Sequence, residues 1–362
     1  MPQKRNTADR EQNTRETDGR VSLKMLADKL GLSTTTVSLV LNDSPAASAI
    51  PQQTKDRVFA AAKFLNYRPN YLAKSLRAQR SFTVGVIVPE LSDGYSAMVL
   101  SGVEDYLLKA GYFYFVASHR HQTKLIEEYP HMLFERRVEG LIVIDTPYTQ
   151  NLQIPVVAIS GSVNADGVTS IALDHEKAAM LALQHLKDFG HRRIAFIKGQ
   201  TFSSDTAIRW KAITKAAKKL GLTIQSKLVS QLEGNSPSPE LGYVAAQGII
   251  ATGAPFTALF TFNDVSAIGA ARALREAGLS VPEDVSIIGF DDVYSAAYQN
   301  PPLTTVRQPL WQMGKLGADT ILKRITTGSN GPYPKRLTVE PELVIRQSTA
   351  IAPSANFKKA TR

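Results

Sequence analysis

The apolar positions of the chain keep two different periods. From Val21 to Leu41 they recur at helical spacing: Val21, Leu23, Leu26, Ala27 and Leu30 behind Ser22, then Val37, Val40 and Leu41 behind Ser33. A serine ahead of each run is a good N-cap, and Gly31 between them tolerates the left-handed backbone that ends a helix. Thr34, Thr35, Ser38 and Leu39 fall on the other faces of the second helix. Ala46 to Ile50 reads as a small-residue loop. Pro51, suited to a first helical position, then opens a third helix with Val58, Phe59, Ala62 and Leu65 turned inward. Asn66-Tyr67-Arg68-Pro69 stops it. Two short helices around a glycine turn make either a helix-turn-helix that offers its second helix to a major groove or a plain αα-hairpin.

Asn70 to Arg80 is short, basic and weakly amphipathic, with Leu72, Ala73 and Leu76 as its apolar members. A helix of this length is marginal in water and forms only when something packs against it, so the segment is either a switch or a linker.

Beyond Ser81 the period shortens. Val84 to Val88, Tyr112 to Ala117, Leu141 to Asp145 and Val156 to Ile159 are apolar runs of buried-strand character, separated by helical stretches such as Tyr95 to Ala110. The alternation repeats with Arg193 to Ile197, Thr257 to Phe260 and Val285 to Phe290, between helices near Thr206 to Leu220, Pro239 to Ala251 and Asp264 to Ala277. Two successive βαβ series imply two parallel-sheet subdomains with a cleft between them. A helix around Met313 to Ile325 and a final strand, Leu337 to Ile345, are expected to carry the chain back between them.

Ligands of such sheets bind beyond the carboxyl ends of the strands. Tyr95, Thr146, Arg209 and Asp291 follow these strands, Asp174 ends a further run from Thr169 to Leu173, and the five are the candidate site residues. Carboxylates with a forked guanidinium suit the hydroxyls of a sugar or the edge of a base. Asp174 is equally placed to cap a helix, Tyr95 to lie in the core, and Asp292 reads as a turn residue.

Charge gives the N-terminal region a partner. Residues 20–80 hold ten Lys/Arg against Asp28, Asp43 and Asp56, so most of the net charge of +10 sits there. A basic head beside a near-neutral body is the footprint of nucleic-acid binding; an anionic membrane would need a larger apolar face than these helices offer. The chain has no Cys, which excludes disulfides, a thiolate nucleophile and Cys-ligated zinc. No apolar run approaches the roughly 18 residues of a membrane span. The polar start, Met1 to Gly19, reads as a disordered tail without a secretory signal, and a cytoplasmic protein is expected. Dinucleotide, P-loop and zincin fingerprints are all missing, so neither an enzyme nor a cofactor is expected. His119 and His121 read as a surface loop rather than a metal site.

GLSTTTVSLVLN, NYRPNYLAKSLRAQ, NDVSAIGAARALREAGLSVPEDVSIIGFDD and NPPLTTVRQP occur in that order. Together they resemble the lactose-repressor (LacI/GalR) family of bacterial transcription regulators, from about Val21 to Arg346. The resemblance implies a small all-α helix-turn-helix head and a periplasmic-binding-protein-like α/β body of two parallel-sheet subdomains. It implies a homodimeric, effector-controlled repressor of carbohydrate-related genes on a pseudo-palindromic operator of double-stranded DNA, its effector a sugar, sugar phosphate or nucleobase. A free-standing solute-binding receptor is the alternative, and the basic head argues against it.

By that resemblance Thr34, Thr35 and Leu39 occupy base-reading positions, with Ser38 beside them. Asn70, Ala73 and Leu76 belong to a hinge helix that enters the minor groove, Leu76 being the wedge that opens a base step. Tyr95, Thr146, Asp174, Arg209 and Asp291 match effector-pocket positions. The implied division is a tail (1–19), the head (20–66), the hinge (67–81), the body (82–347) and a second tail (348–362). Within the body one subdomain takes 82–174 plus 308–335 and the other 175–307 plus 336–347. Three departures stand out. Leu39 sits where members often carry Arg or His and can at best touch a thymine methyl. The loop Asp43 to Ile50 is longer than in the shortest members. Ser96 replaces a frequent second aromatic, which reduces stacking surface. Ile351 to Arg362 lacks a leucine heptad, which favours a dimer over a tetramer.

Overall fold

Side-chain caps begin the first two helices. In a computed structural model, which describes residues 21–42, 44–68, 75, 78–92, 94–161, 165–235, 238–328, 331 and 333–353, α1 (Leu23–Leu30) starts at Ser22, whose Oγ accepts the Met25 N–H at 3.2 Å. It ends on Gly31 at φ 65°, a left-handed turn that suits glycine. Ser33 repeats the device for α2 (Thr34–Leu41), accepting the Thr36 N–H at 3.0 Å. With α3 (Gln52–Phe64) these helices enclose Leu26, Ala27, Val37, Val40, Val58 and Ala62.

Three local expectations for this head are corrected. Pro51 is the N-cap of α3, one residue before the first helical position. Pro45–Ala49 is a 3-10 helix and not a loop, since proline presets its first turn and the small side chains do not crowd it. Phe59 is 49 % exposed, because Val58 and Ala62, one turn apart, define the buried stripe and leave it alongside.

The described residues up to Arg80 and those from Ser81 onward form separate compact units. The second runs β1 (Thr83–Val88), α4 (Gly94–Lys109), β2 (Phe113–Ser118), α5 (Thr123–Glu135), β3 (Gly140–Ile144), β4 (Val156–Ile159) and β5 (Val168–Leu173). It continues through α6 (His175–Asp188), β6 (Ile194–Lys198), α7 (Ser204–Leu220), β7 (Val229–Gln231), α8 (Pro239–Ala251), β8 (Ala258–Phe260), α9 (Asp264–Glu276) and β9 (Ser286–Asp291). It closes with α10 (Tyr294–Ala297), β10 (Thr304–Arg307), α11 (Leu310–Thr327), β11 (Arg336–Val339) and β12 (Glu342–Val344).

Two six-stranded sheets result, ordered β11-β5-β4-β3-β1-β2 and β12-β10-β9-β8-β6-β7. All pairings are parallel except β10 with β12. Each sheet reverses its winding beside its first strand, at β1/β3 and at β6/β8, and such a switch point opens a crevice at the strands' carboxyl ends. The chain passes from one sheet to the other at Asp174, at Gln308-Pro309 and at Glu340-Pro341. Helix α11 returns to the first lobe and packs so closely on α4 that a methyl group at Gly102 would overlap the Trp311 carbonyl, and one at Gly314 the Val99 carbonyl.

The run Leu337 to Ile345, expected as one strand, is two strands in different sheets: Arg336–Val339 pairs with β5 and Glu342–Val344 with β10. Residues 336–339 therefore lie in the first sheet, where the second had been expected. Pro341 lacks the N–H a continuous strand would need. The aromatic run at Tyr112 to Ala117 was expected to be a buried strand, but β2 is the edge of its sheet, with Phe113 54 % and Phe115 39 % exposed.

Candidate DNA-reading helix and effector cleft

On α2 the caps and the core fix which side chains are left outward. Val37 and Val40 are buried, Thr34 and Thr35 are exposed at the helix N-terminus, and Ser38 and Leu39 are half-buried. The Asn42 amide donates to the Ser38 carbonyl at 2.8 Å and ties off the last turn. This leaves two short hydroxyls and one apolar side chain to meet base edges, and one helix end to meet phosphate. Asn70, Ala73 and Leu76, with most of the expected hinge helix, lie outside the described residues.

In the body, the ends of β1, β3 and β6 bring Tyr95, Thr146 and Arg209 to the two switch points, and Asp291 ends β9. The Tyr95 hydroxyl donates to Ser160 Oγ at 2.7 Å, beyond β4. Burial, and then the carboxylates of Asp205, Asp145 and Asp291, push the Tyr95 phenol well above its ordinary range. Tyr95 belongs to the first lobe while Asp205 and Asp291 belong to the second, so the crevice is shared. It is also bridged: Ser204 Oγ donates to Asp145 Oδ1 at 3.1 Å, and the His121 and Phe202 rings lie 4.2 Å apart.

Arg209 is buried between two rings, its guanidinium carbon 3.7 Å from the Phe290 centroid and 4.4 Å from that of Phe262. It donates to the Phe262 carbonyl and, at 3.4 Å, to Asp205 Oδ2. Asp205 also faces His175 Nε2 at 3.8 Å. Burial lowers the His175 imidazole to about 4, so it is neutral at pH 7. Asp291 sits at φ 106° and accepts from Gln308 Nε2 at 2.7 Å, a strained backbone held by the crossing segment.

Thr146 is buried, donates to the Ile144 carbonyl at 2.7 Å and meets His119 Nε2 at 3.1 Å. His119, expected on a surface loop, is buried behind it, and burial lowers its imidazole to about 4. Asp174 is engaged elsewhere: its Oδ1 accepts the Lys177 N–H at 2.9 Å and caps α6. Asp292, expected as a turn residue, pairs with Arg307 at 2.7 Å and Arg346 at 2.6 Å.

Sequence reasoning missed Asp145, Asp205, Ser160, Phe262 and His119. Asp145 and Phe262 lie just past strand ends and Asp205 one helical turn before Arg209, so three were within reach of the rules that found the others. Among the described residues there is no His/Asp/Glu cluster fit to hold a metal ion and no helix long and apolar enough to cross a membrane.

A three-helix head with an outward α2, followed by a two-lobed body with a polar crevice at paired switch points, defines a ligand-responsive DNA-binding regulator. Residues 22–70 match the family described as bacterial regulatory proteins, lacI family, and residues 183–349 match a periplasmic binding protein-like domain. The chain is 35 % identical over 337 residues to the HTH-type transcriptional repressor PurR of Haemophilus influenzae (strain ATCC 51907 / DSM 11121 / KW20 / Rd), across 90 % of this chain and 98 % of that one. Among solved structures it is similar to the Lac repressor dimer bound to operator and the anti-inducer ONPF, with TM-score 0.79 and 26 % identity over 91 % of this chain and 99 % of that one. It is also similar to the transcriptional regulator CelR–cellobiose complex, with TM-score 0.66 and 28 % identity over 91 % and 100 %. The chain belongs to the lacI family of bacterial transcription regulators.

Proposed function

We propose that the protein is a cytoplasmic, non-enzymatic repressor that binds a pseudo-palindromic operator as a homodimer and changes its DNA affinity when a small effector enters the interlobe crevice. The observation that carries the reading is the coexistence, in one chain, of the outward α2 of a basic head and a crevice where Tyr95, Asp145, Asp205, Arg209 and Asp291 converge from two lobes. Thr34, Thr35, Ser38 and Leu39 read the major groove, and Asn70, Ala73 and Leu76 serve the minor groove. Tyr95, Thr146, Arg209 and Asp291 hold the effector. Asp174 fixes the start of α6 at a crossing between the lobes, where effector binding is converted into lobe movement. Cellobiose bound to one relative supports a carbohydrate effector.

Coupling of this kind is typically about 1–3 kcal/mol, or roughly 5- to 150-fold in DNA affinity. The test is fluorescence anisotropy with duplexes selected by the protein from a random pool, repeated across salt concentrations. Specific binding whose log affinity falls linearly with log salt is expected. A free-standing solute receptor would bind no duplex at low salt, and that result would refute the reading.

A further inference from the structure

The crevice contains one buried guanidinium, and the chain supplies its counter-ion. Asp205 and Arg209 stand one turn apart on α7, 3.4 Å between Oδ2 and Nη2, with side chains only 9 % and 5 % exposed. Arg209 also meets the Phe262 carbonyl and the two rings that sandwich it, and its Nε is left for a ligand. His175, the other nitrogen base against Asp205, adds no positive charge at neutral pH. Asp145 and Asp291 add two further carboxylates around the Tyr95 hydroxyl. Arg209 Nε, His175 Nδ1, Ser96 Oγ and Gln308 Oε1 are buried and have no hydrogen-bond partner among the described residues, a mixture of donors and acceptors.

Given the reading of this crevice as the effector site, we propose that Asp205 determines the class of effector. By neutralising Arg209 from within, it excludes phosphorylated and carboxylated ligands and leaves a site for an uncharged, hydroxyl-rich one. An entering phosphate would meet three carboxylates against a guanidinium already paired with one of them, whereas hydroxyl donors would be accepted by those same carboxylates. A phosphate could compete for Arg209 only by displacing Asp205, whose carboxylate would then be buried without its partner. The device is discrimination by repulsion as well as by attraction.

Isothermal titration of the full-length chain with inorganic phosphate and with D-glucose 6-phosphate tests this, using wild type, Asp205→Asn, Asp205→Ser and the double variant Asp205→Asn/Arg209→Gln. Circular dichroism checks that each is folded. Wild type is expected to bind neither anion, Asp205→Asn and Asp205→Ser to gain at least roughly tenfold in affinity for one or both, and the double variant to lose that gain. Wild-type binding as tight as that of the single variants would overturn the proposal, as would folded single variants that gain nothing. The effector reading fails on a separate measurement: a ligand whose binding Asp291→Asn abolishes, but which leaves operator affinity unchanged when bound.

Discussion

Arg209 is held in its buried setting by a carboxylate, a carbonyl and the faces of two rings. Removing one member of such a pair typically costs about 3–5 kcal/mol, chiefly by stranding the other charge. Arg209→Ala and Asp205→Ala are each expected to lower stability by about that much, and the double variant by less than their sum, with a coupling of at least about 1 kcal/mol in urea titrations. Additive losses would show that the pair is not coupled. Two imidazoles give a second expectation. His119 and His175 lie near 4 in the folded chain against about 6.5 unfolded, so their contribution is complete above pH 6.5 and is lost as pH falls toward 4. Asp264, raised by burial to about 7, acts in the opposite sense: its contribution is complete at low pH and fades as pH rises through 7. A stability profile that climbs from pH 4 to 6.5 is expected, with a shallower climb in His119→Gln. Identical profiles in the variant and wild type would refute the assignment to His119. At this scale the sequence disclosed residues that follow strands, but not their partners. Ser160 lies 65 positions from Tyr95, and no period connects them.

Elements were legible where local chemistry alone decides them. Ser22, Gly31 and Ser33 bound α1 and α2 as their side chains and backbone demand, and Ser33→Ala is expected to cost about 1 kcal/mol of stability through the lost cap. Because that cap also aims α2, operator affinity measured by anisotropy should fall with it, whereas Thr35→Ala should weaken operator binding at unchanged stability. Elements were misread where the answer lies outside the segment. The apolar run of β2 looks the same whether its flank meets another strand or lies at the edge, and only the sheet order distinguishes the two. The single strand expected over Leu337 to Ile345 had a warning within it, since Pro341 cannot donate to a ladder.

For the whole molecule, the exposed aromatic edge of β2 is the surface expected to meet a second subunit. Phe113 and Phe115 pack ring against ring at 5.5 Å on that edge, and an uncovered apolar strand edge is a hazard that a partner removes. Phe113→Glu/Phe115→Glu is expected to sediment as a monomer and to lose most specific operator binding, because each half-site would then be held alone. A dimer at unchanged affinity would place the interface elsewhere. The α/β repeat announced two lobes and the helix and strand near the end a return crossing, while the resemblance supplied the bounds of the exchanged segments.

The three crossings at Asp174, Gln308-Pro309 and Glu340-Pro341 also bear on how the chain is made. The lobe that begins first at the ribosome stays unfinished until late: Leu310, Met313, Ile321 and Leu322 of α11 fill its core, and β11 adds its outer strand, only after all but the β12 strand of the other lobe's sheet has emerged. Until then the nascent N-terminal half presents a sheet with one flank uncovered, and a release before α11 would yield a product whose later lobe is the better formed of the two.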